Sequence, residues 1–255
     1  MLIIRKIINI LKFIKSKLRF IYSASIRKNY NYFKIIKFML FFLYCFISGL
    51  IKNLIYKNTK AEYINFFKKF KFSNDWFTNN IPIWVPILNK KKNYKILKIL
   101  EIGSYEGMSA IFFLDFFKNA KIDCVETFEG SDEHSDINFT KIKKNFRFNL
   151  SEFEDRYKIF QTSSDNFFEK NMGESNLYDI IYVDGSHESN QVKNDAYNSF
   201  NLLKENGIMV FDDFLRDHYK DIDRNPFSAI IHFIENNNKK INIIHFGYQL
   251  ILQKY

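Results

Sequence analysis

From residue 62 onward, apolar runs of strand length alternate with stretches whose apolar residues recur at three- and four-residue spacing. That alternation confines the chain to α/β architectures, because each helical stretch must cover the apolar face of the strands flanking it. Strands are predicted at 94–102, 121–126, 157–162, 178–184, 207–212, 240–246 and 248–254. Helices fall between the first five, near 107–118, 137–149, 163–171 and 188–205, with another near 223–237. Runs such as YKILKILEI and YDIIYVD leave no polar face, which implies a parallel sheet covered on both sides, with its binding crevice at the strand carboxyl ends. The last two runs are separated by almost nothing and predict an antiparallel terminal hairpin. No internal repeat is present.

Residues 1–61 have a different texture. They hold 13 Lys and Arg and no acid, since the first acidic residue is Glu62, and the remaining chain has 25 basic against 28 acidic side chains. The net charge of +10 therefore belongs to the leader, and residues 62–255 form a slightly acidic globular part. Within residues 1–22, Ile3, Ile4, Ile7, Ile8, Leu11, Ile14, Leu18 and Ile21 make an apolar stripe, with Arg5, Lys12, Lys15 and Arg19 off it. Residues 38–51 are an uncharged run of 14 between Lys37 and Lys52, shorter than the roughly 20 that a spanning helix needs. An interfacial position on an anionic membrane fits this pair of segments better than a span, and packing on the domain or on a partner chain is the alternative. No cleavage-site pattern for a signal peptide follows the run. The same run is too apolar for a nucleic-acid-binding arm.

Composition excludes several other classes. With 8 Gly and 3 Pro in 255 residues, collagen-like and linker-rich chains are ruled out, and 47% hydrophobic residues suffice for a sizeable core. A mean hydropathy of -0.25 is too polar for a multispanning membrane protein. Cys45 and Cys124 alone supply neither a disulfide framework nor a thiolate zinc site, so a reducing, cytoplasmic compartment is expected, with attachment at the inner face of a membrane if the leader binds one.

The chemistry concentrates at strand ends. The first strand runs into Glu101-Ile-Gly103-Ser104-Tyr105-Glu-Gly107-Met-Ser109, an E-x-G-x-x-x-G turn in which Gly103 permits a tight bend and Gly107 opens a helix. This is not the G-x-G-x-x-G of dinucleotide pyrophosphate sites. The second strand ends in Glu126, placed to accept hydrogen bonds from ribose hydroxyls. Thr162-Ser163-Ser164-Asp165 close the third strand and suit either an adenine edge or a helix cap. Asp184-Gly185-Ser186-His187 and Asp212-Asp213 end the fourth and fifth strands, which should be neighbours. Three converging carboxylates repel one another unless a cation joins them, and hard oxygen ligands favour Mg²⁺, or Mn²⁺ or Ca²⁺. His134, His218, His232 and His245 lie in no comparable motif and read as surface or packing residues.

Taken in order, the first turn, YDIIYVDGSH and NGIMVFDDF make residues 93–255 resemble a class I S-adenosylmethionine-dependent methyltransferase. They are similar in particular to the methyltransferase-domain-24 family, which includes macrocin-type sugar O-methyltransferases and is related to catechol O-methyltransferase. FSNDWFTNNIPIW resembles the segment preceding the fold in such proteins. The resemblance implies a Rossmann-like seven-stranded sheet in the order 3-2-1-4-5-7-6, here with an N-terminal helical extension. By it, Glu101, Gly103, Ser104, Tyr105, Gly107 and Ser109 surround the methionine end of S-adenosylmethionine, Glu126 the ribose, and Ser164 and Asp165 the adenine, with Asp184 at the cofactor's edge. Asp184, Asp212 and Asp213 hold a divalent metal. The catechol enzymes carry a lysine base three residues after the first metal acid; His187 stands there in this chain, and histidine can accept a proton near neutral pH.

The expected activity is metal-assisted O-methylation of a sugar or other small-molecule hydroxyl. An NAD- or nucleotide-sugar-binding Rossmann enzyme and a catalytically silent interaction module at a membrane are the alternatives. Acceptor specificity is expected from loops at 62–92 and 213–227, with Trp76, Trp84 and Phe214 as candidate apolar walls.

Overall fold

The computed structural model describes residues 2–130 and 137–255, with side chains from residue 4 onward. Seven strands form one sheet: β1 (Leu97–Ile102), β2 (Ala120–Val125), β3 (Tyr157–Phe160), β4 (Tyr178–Val183), β5 (Leu203–Phe211), β6 (Ile241–Phe246) and β7 (Leu250–Lys254). Their order is β3-β2-β1-β4-β5-β7-β6, as the resemblance implied. β1 to β5 are mutually parallel, while β7 runs antiparallel to both β5 and β6.

Alternation along the strands explains the two-sided core. Leu100, Ile102, Ile181, Val183, Met209 and Phe211 face one layer, and Ile99, Ile122, Ile180, Tyr182, Ile208 and Val210 face the other. Helices α1 (Leu2–Arg27), α2 (Tyr32–Ile55), α7 (Ser164–Lys170), α8 (Ser189–Leu202) and α9 (Pro226–Asn236) contribute to the first layer. Helices α3 (Lys57–Phe67), α4 (Ile81–Leu88), α5 (Met108–Phe116) and α6 (Phe139–Leu150) contribute to the second.

Two expectations change in detail. The expected helix at 188–205 gives way to strand after Leu202, so that β5 begins at Leu203, ahead of a register shift in its pairing with β4. The segment 62–92 is less of a loop than its prolines suggest. Pro82 sits in the first turn of α4, where a missing N–H costs nothing, and Trp84 is wholly buried.

The leader docks on the globular part. Asn31 caps α2 through Lys34 N–H, and the helix continues past Lys37 and through Lys52, far beyond the uncharged run. At 24 residues it is long and apolar enough to cross a membrane by length and composition. One of its faces is nevertheless packed: Ile35, Phe42, Cys45 and Gly49 are buried, Phe38 stacks on Phe246, and Cys45 Sγ accepts the Phe246 N–H at 3.3 Å. In α1 the second half docks, with Ile21 buried and Phe20 edge-on to Phe227, while Ile4, Ile7, Ile8 and Leu11 stay exposed. Ion pairs follow the charge asymmetry between the two parts: Lys17 meets Asp217 at 2.8 Å, Lys34 meets Glu235, and Arg27 lies near Asp221 and Asp223. The division at 61/62 falls inside α3.

Candidate active site

The crevice lies where β1, β4 and β5 end. Gly103 takes φ +83°, a left-handed conformation that brings its Cα against the end of β4, and its N–H is held by the Val125 carbonyl at 2.9 Å. Tyr105 and Gly107 are also left-handed, at φ 48° and 80°, and the turn delivers the chain into α5. No side chain caps the N-terminus of α5, so its first N–H groups are available to a ligand. Glu126 stands beside this turn: its carboxylate accepts the Tyr105 N–H at 2.8 Å and the Phe128 N–H at 2.9 Å. Each oxygen keeps a lone pair for a ribose hydroxyl. The donor set thus fits a nucleoside with a charged amino-acid end, as S-adenosylmethionine has.

Glu101 lies behind the turn, fully buried, accepting from Ser109 Oγ and from Cys124 Sγ. Burial pushes its carboxyl up to about 7 against those hydrogen bonds. Ser104 is buried in the turn itself. Ser163, rather than Ser164, caps α7, while Ser164 and Asp165 both accept from Gln191 Nε2, at 3.1 and 3.0 Å. The adenine-edge candidates are therefore tied to α8 through a residue that no sequence motif marked.

Asp184, His187 and Asp213 come together, with ligand atoms all within 4.8 Å of one another. His187 Nε2 lies 2.7 Å from Asp213 Oδ2, and Arg216 Nη1 lies 3.1 Å from the same oxygen. Asp212 stands outside this triad. Its carboxylate accepts from the Tyr182 hydroxyl and, at 2.8 Å, from the Asp213 N–H. The Tyr182 hydroxyl also reaches Asp184 Oδ2 at 2.8 Å, so it bridges the two carboxylates. Of the three expected metal acids, two converge with the histidine and the third supports them from behind.

The electrostatics are those of a site short of positive charge. Withdrawal from water, followed by the charges of Asp212 and Asp213, holds Asp184 well above the usual carboxylate range. Burial and then Asp213 raise Asp212. Burial raises Asp213 as well, but the His187 hydrogen bond and charge, Tyr248 and Arg216 outweigh it and bring the group down to about 2. The carboxylates of Asp184 and Asp213, with that of Asp212 crowded beside them, are the oxygen donors a hard divalent ion takes.

Among the expected acceptor walls, Trp84 and Phe214 are core residues: Trp84 donates to Gln249 at 2.7 Å, and Phe214 packs on Phe227 and Phe246. Phe214 therefore lines no pocket for an acceptor. Trp76 does lie over the cofactor turn, its ring 5.1 Å from that of Tyr105 and 59% exposed. His245 is buried and pushed down to about 4 by desolvation, whereas His218 and His232 are exposed. His134 lies outside the described residues. Sequence reasoning missed Tyr182, Gln191 and Tyr248; period-two spacing along β4 does place Tyr182 on the same face as Asp184.

Residues 100–214 match the family model described as a methyltransferase domain. No curated protein matches the chain. Among solved structures, the MycE methyltransferase of the mycinamycin biosynthetic pathway, in complex with Mg, SAH and mycinamycin VI, is similar at TM-score 0.52 and 18% identity over 76% of this chain. This chain spans 53% of that enzyme's length. An O-methyltransferase from Bacillus cereus in complex with SAH is similar at TM-score 0.54 and 14% identity, covering 81% of this chain and 97% of the other. The SAH-bound methyltransferase PaMTH1 of Podospora anserina is similar at TM-score 0.51 and 18% identity, covering 82% and 95%. At these identities the likeness is one of fold.

Proposed function

We propose that this chain, whose residues 100–214 match a methyltransferase-domain model, transfers a methyl group from S-adenosylmethionine to a hydroxyl oxygen of a small-molecule or sugar acceptor. The observation that carries the reading is the meeting of the Gly103 turn, Glu126 and the Asp184–His187–Asp213 triad at one end of the sheet. The acceptor oxygen attacks the sulfonium methyl carbon, the S–CH₃ bond breaks, and S-adenosylhomocysteine leaves. The sulfonium is already a good leaving group, so the residues mainly align the acceptor and lower its proton affinity.

In this reading the free N–H groups of α5 and the Gly103 turn hold the methionine end, and Glu126 holds the ribose. Asp184 and Asp213 hold a divalent ion, with Mg²⁺ the natural candidate, and Asp212 orients them through Tyr182 and the Asp213 amide. Such an ion supplies a Lewis acid for the acceptor oxygen. His187, fixed by Asp213, takes the acceptor's proton. The leader lies on an anionic bilayer through the exposed apolar side chains of α2, including Phe33, Ile36, Leu40, Ile47 and Leu54, with basic residues outside the α1 cleft, such as Lys28 and Lys37, towards the headgroups.

Isothermal titration of the full chain with S-adenosylmethionine and with NAD tests the cofactor, and a methyl-transfer screen over sugars and phenols tests the reaction. S-adenosylmethionine should bind and NAD should not; the reverse overturns the proposal in favour of an oxidoreductase. Transfer should disappear in excess chelator, and full activity there removes the metal role. His187→Ala should lower turnover while metal affinity persists; lost metal affinity would make His187 a ligand instead of a base.

A further inference from the structure

Beside the crevice, α1 and the chain that follows β5 enclose an open cleft of about 490 Å³, lined by Lys12, Lys15, Ser16, Arg19, Ser23 and Tyr219 among others. The five α1 residues recur at three- and four-residue spacing, so they share one helix face. That face differs from the docked one, which carries Ile14, Leu18 and Ile21.

The acids near this cleft are already matched. Asp217, which itself lines the cleft, is held by Lys17, and Asp221 and Asp223 lie by Arg27. Among the described residues, Lys12, Lys15 and Arg19 have no hydrogen-bond or ion-pair partner, although they line a concave surface with two serine hydroxyls. The single acid lining the cleft, Asp217, is paired with Lys17, so the charge of these three cations is left uncompensated. Their charge and donors suit a phosphate or diphosphate, which is multiply charged and accepts several hydrogen bonds at once.

The cleft is also connected to the reaction centre. Asp217 follows Asp213 by four residues, Arg216 between them pairs with Asp213, and Lys17 lies 5.6 Å from the ring of Tyr248, which itself bonds Asp213. A group bound in the cleft is thus held by the same loop that carries one arm of the triad.

We propose that this cleft is an anion subsite that binds the phosphate or diphosphate group of the methyl acceptor. The assignment rests on the methyl-transfer reading and narrows its substrate class to phosphorylated, nucleotide-linked or lipid-diphosphate-linked hydroxyl compounds. The leader then does more than cover the sheet, because it supplies substrate-binding residues that the methyltransferase domain lacks.

The test uses the full chain, titrated calorimetrically with inorganic pyrophosphate and, separately, with S-adenosylmethionine. Pyrophosphate should bind saturably, and the double variant Lys15→Ala, Arg19→Ala should weaken it at least about tenfold, with S-adenosylmethionine affinity unchanged. Both side chains are exposed, so folding is not at stake. Absence of saturable pyrophosphate binding, or equal affinity in the double variant, overturns the subsite. Uridine diphosphate should compete with pyrophosphate. Competition by phosphatidylglycerol vesicles alone would make the cleft a headgroup contact and overturn its assignment to the acceptor. Failure of S-adenosylmethionine to bind would instead remove the methyl-transfer reading, independently of the pyrophosphate result.

Discussion

Replacing Gly103 by alanine tests whether the crevice depends on close packing of the first turn against the end of β4. A Cβ at this position would lie 2.1 Å from the Asp184 carbonyl oxygen and 2.8 Å from the Gly185 Cα. Both are backbone atoms of the segment that presents Asp184 and His187, so neither can swing aside as a side chain would. Holding an L-residue in the left-handed region costs about 1–2 kcal/mol, and forcing a methyl into packed structure costs about 1–3 kcal/mol. The reduced freedom of the unfolded alanine chain offsets about 0.4–1 kcal/mol of this. A net loss of about 1–5 kcal/mol corresponds to a melting temperature roughly 2–20 °C lower for a chain of this size. Since the displacement falls on Asp184, affinity for S-adenosylmethionine should also drop, by about tenfold or more. Gly173→Ala is the matched control: Gly173 has φ +90° with nothing within 4 Å of its would-be Cβ. Only the conformational cost applies there, for a fall of at most about 6 °C with cofactor affinity intact. Scanning calorimetry and isothermal titration read both effects. If the two alanine variants melt together and bind the cofactor equally, the steric reasoning is refuted.

Glu101 predicts a pH-dependent difference. Burial pushes its carboxyl up to about 7 from the ordinary 4.5, so stability falls as pH rises through that window and the penalty is complete above it. Glu101→Gln should therefore stabilise by up to about 3 kcal/mol at pH 8 and by under about 1 kcal/mol at pH 5; equal effects in urea melts at both pH values would contradict this. For the leader, the full chain should float with phosphatidylglycerol vesicles and less with phosphatidylcholine alone, and Ile36→Ser with Leu40→Ser and Ile47→Ser should abolish flotation without changing the melting temperature. A parent chain that stays in the soluble fraction with anionic vesicles refutes the membrane reading.

The strands were legible because parallel strands buried on both faces must be largely apolar, and β1 and β4 are, with only Lys98, Glu101 and Asp179 interrupting them. Asp184, His187, Asp212 and Asp213 were legible because polar residues ending such runs have only the crevice to face. Their division of labour was not, since it depends on Tyr182, which lies inside an apolar strand where a tyrosine reads as core. Gln191 was hidden for a similar reason: a polar residue in the first turn of a helix carries no sign that it reaches across to α7. The extent of α2, Tyr32–Ile55, is not marked by the uncharged run 38–51, because charged residues continue the helix on both sides of it. Lys34 and Lys37 are accommodated within the helix, one paired with Glu235 and the other directed to solvent. The order of the strands came from the resemblance alone, as periodicity fixes faces and lengths but not neighbours.

The docking of α2 on β6 also sets the timetable of folding. The Cys45–Phe246 and Tyr30–Glu235 contacts join residues 201 and 205 positions apart, so these helices meet their partners only after the sheet-forming stretch between them has been made. Contacts of such long sequence separation close late, because the loop entropy must be overcome before they contribute. Throughout synthesis the apolar faces of α1 and α2 are therefore without their native cover. Until β6 and β7 complete the sheet, those faces are open to association with any other apolar surface the chain meets.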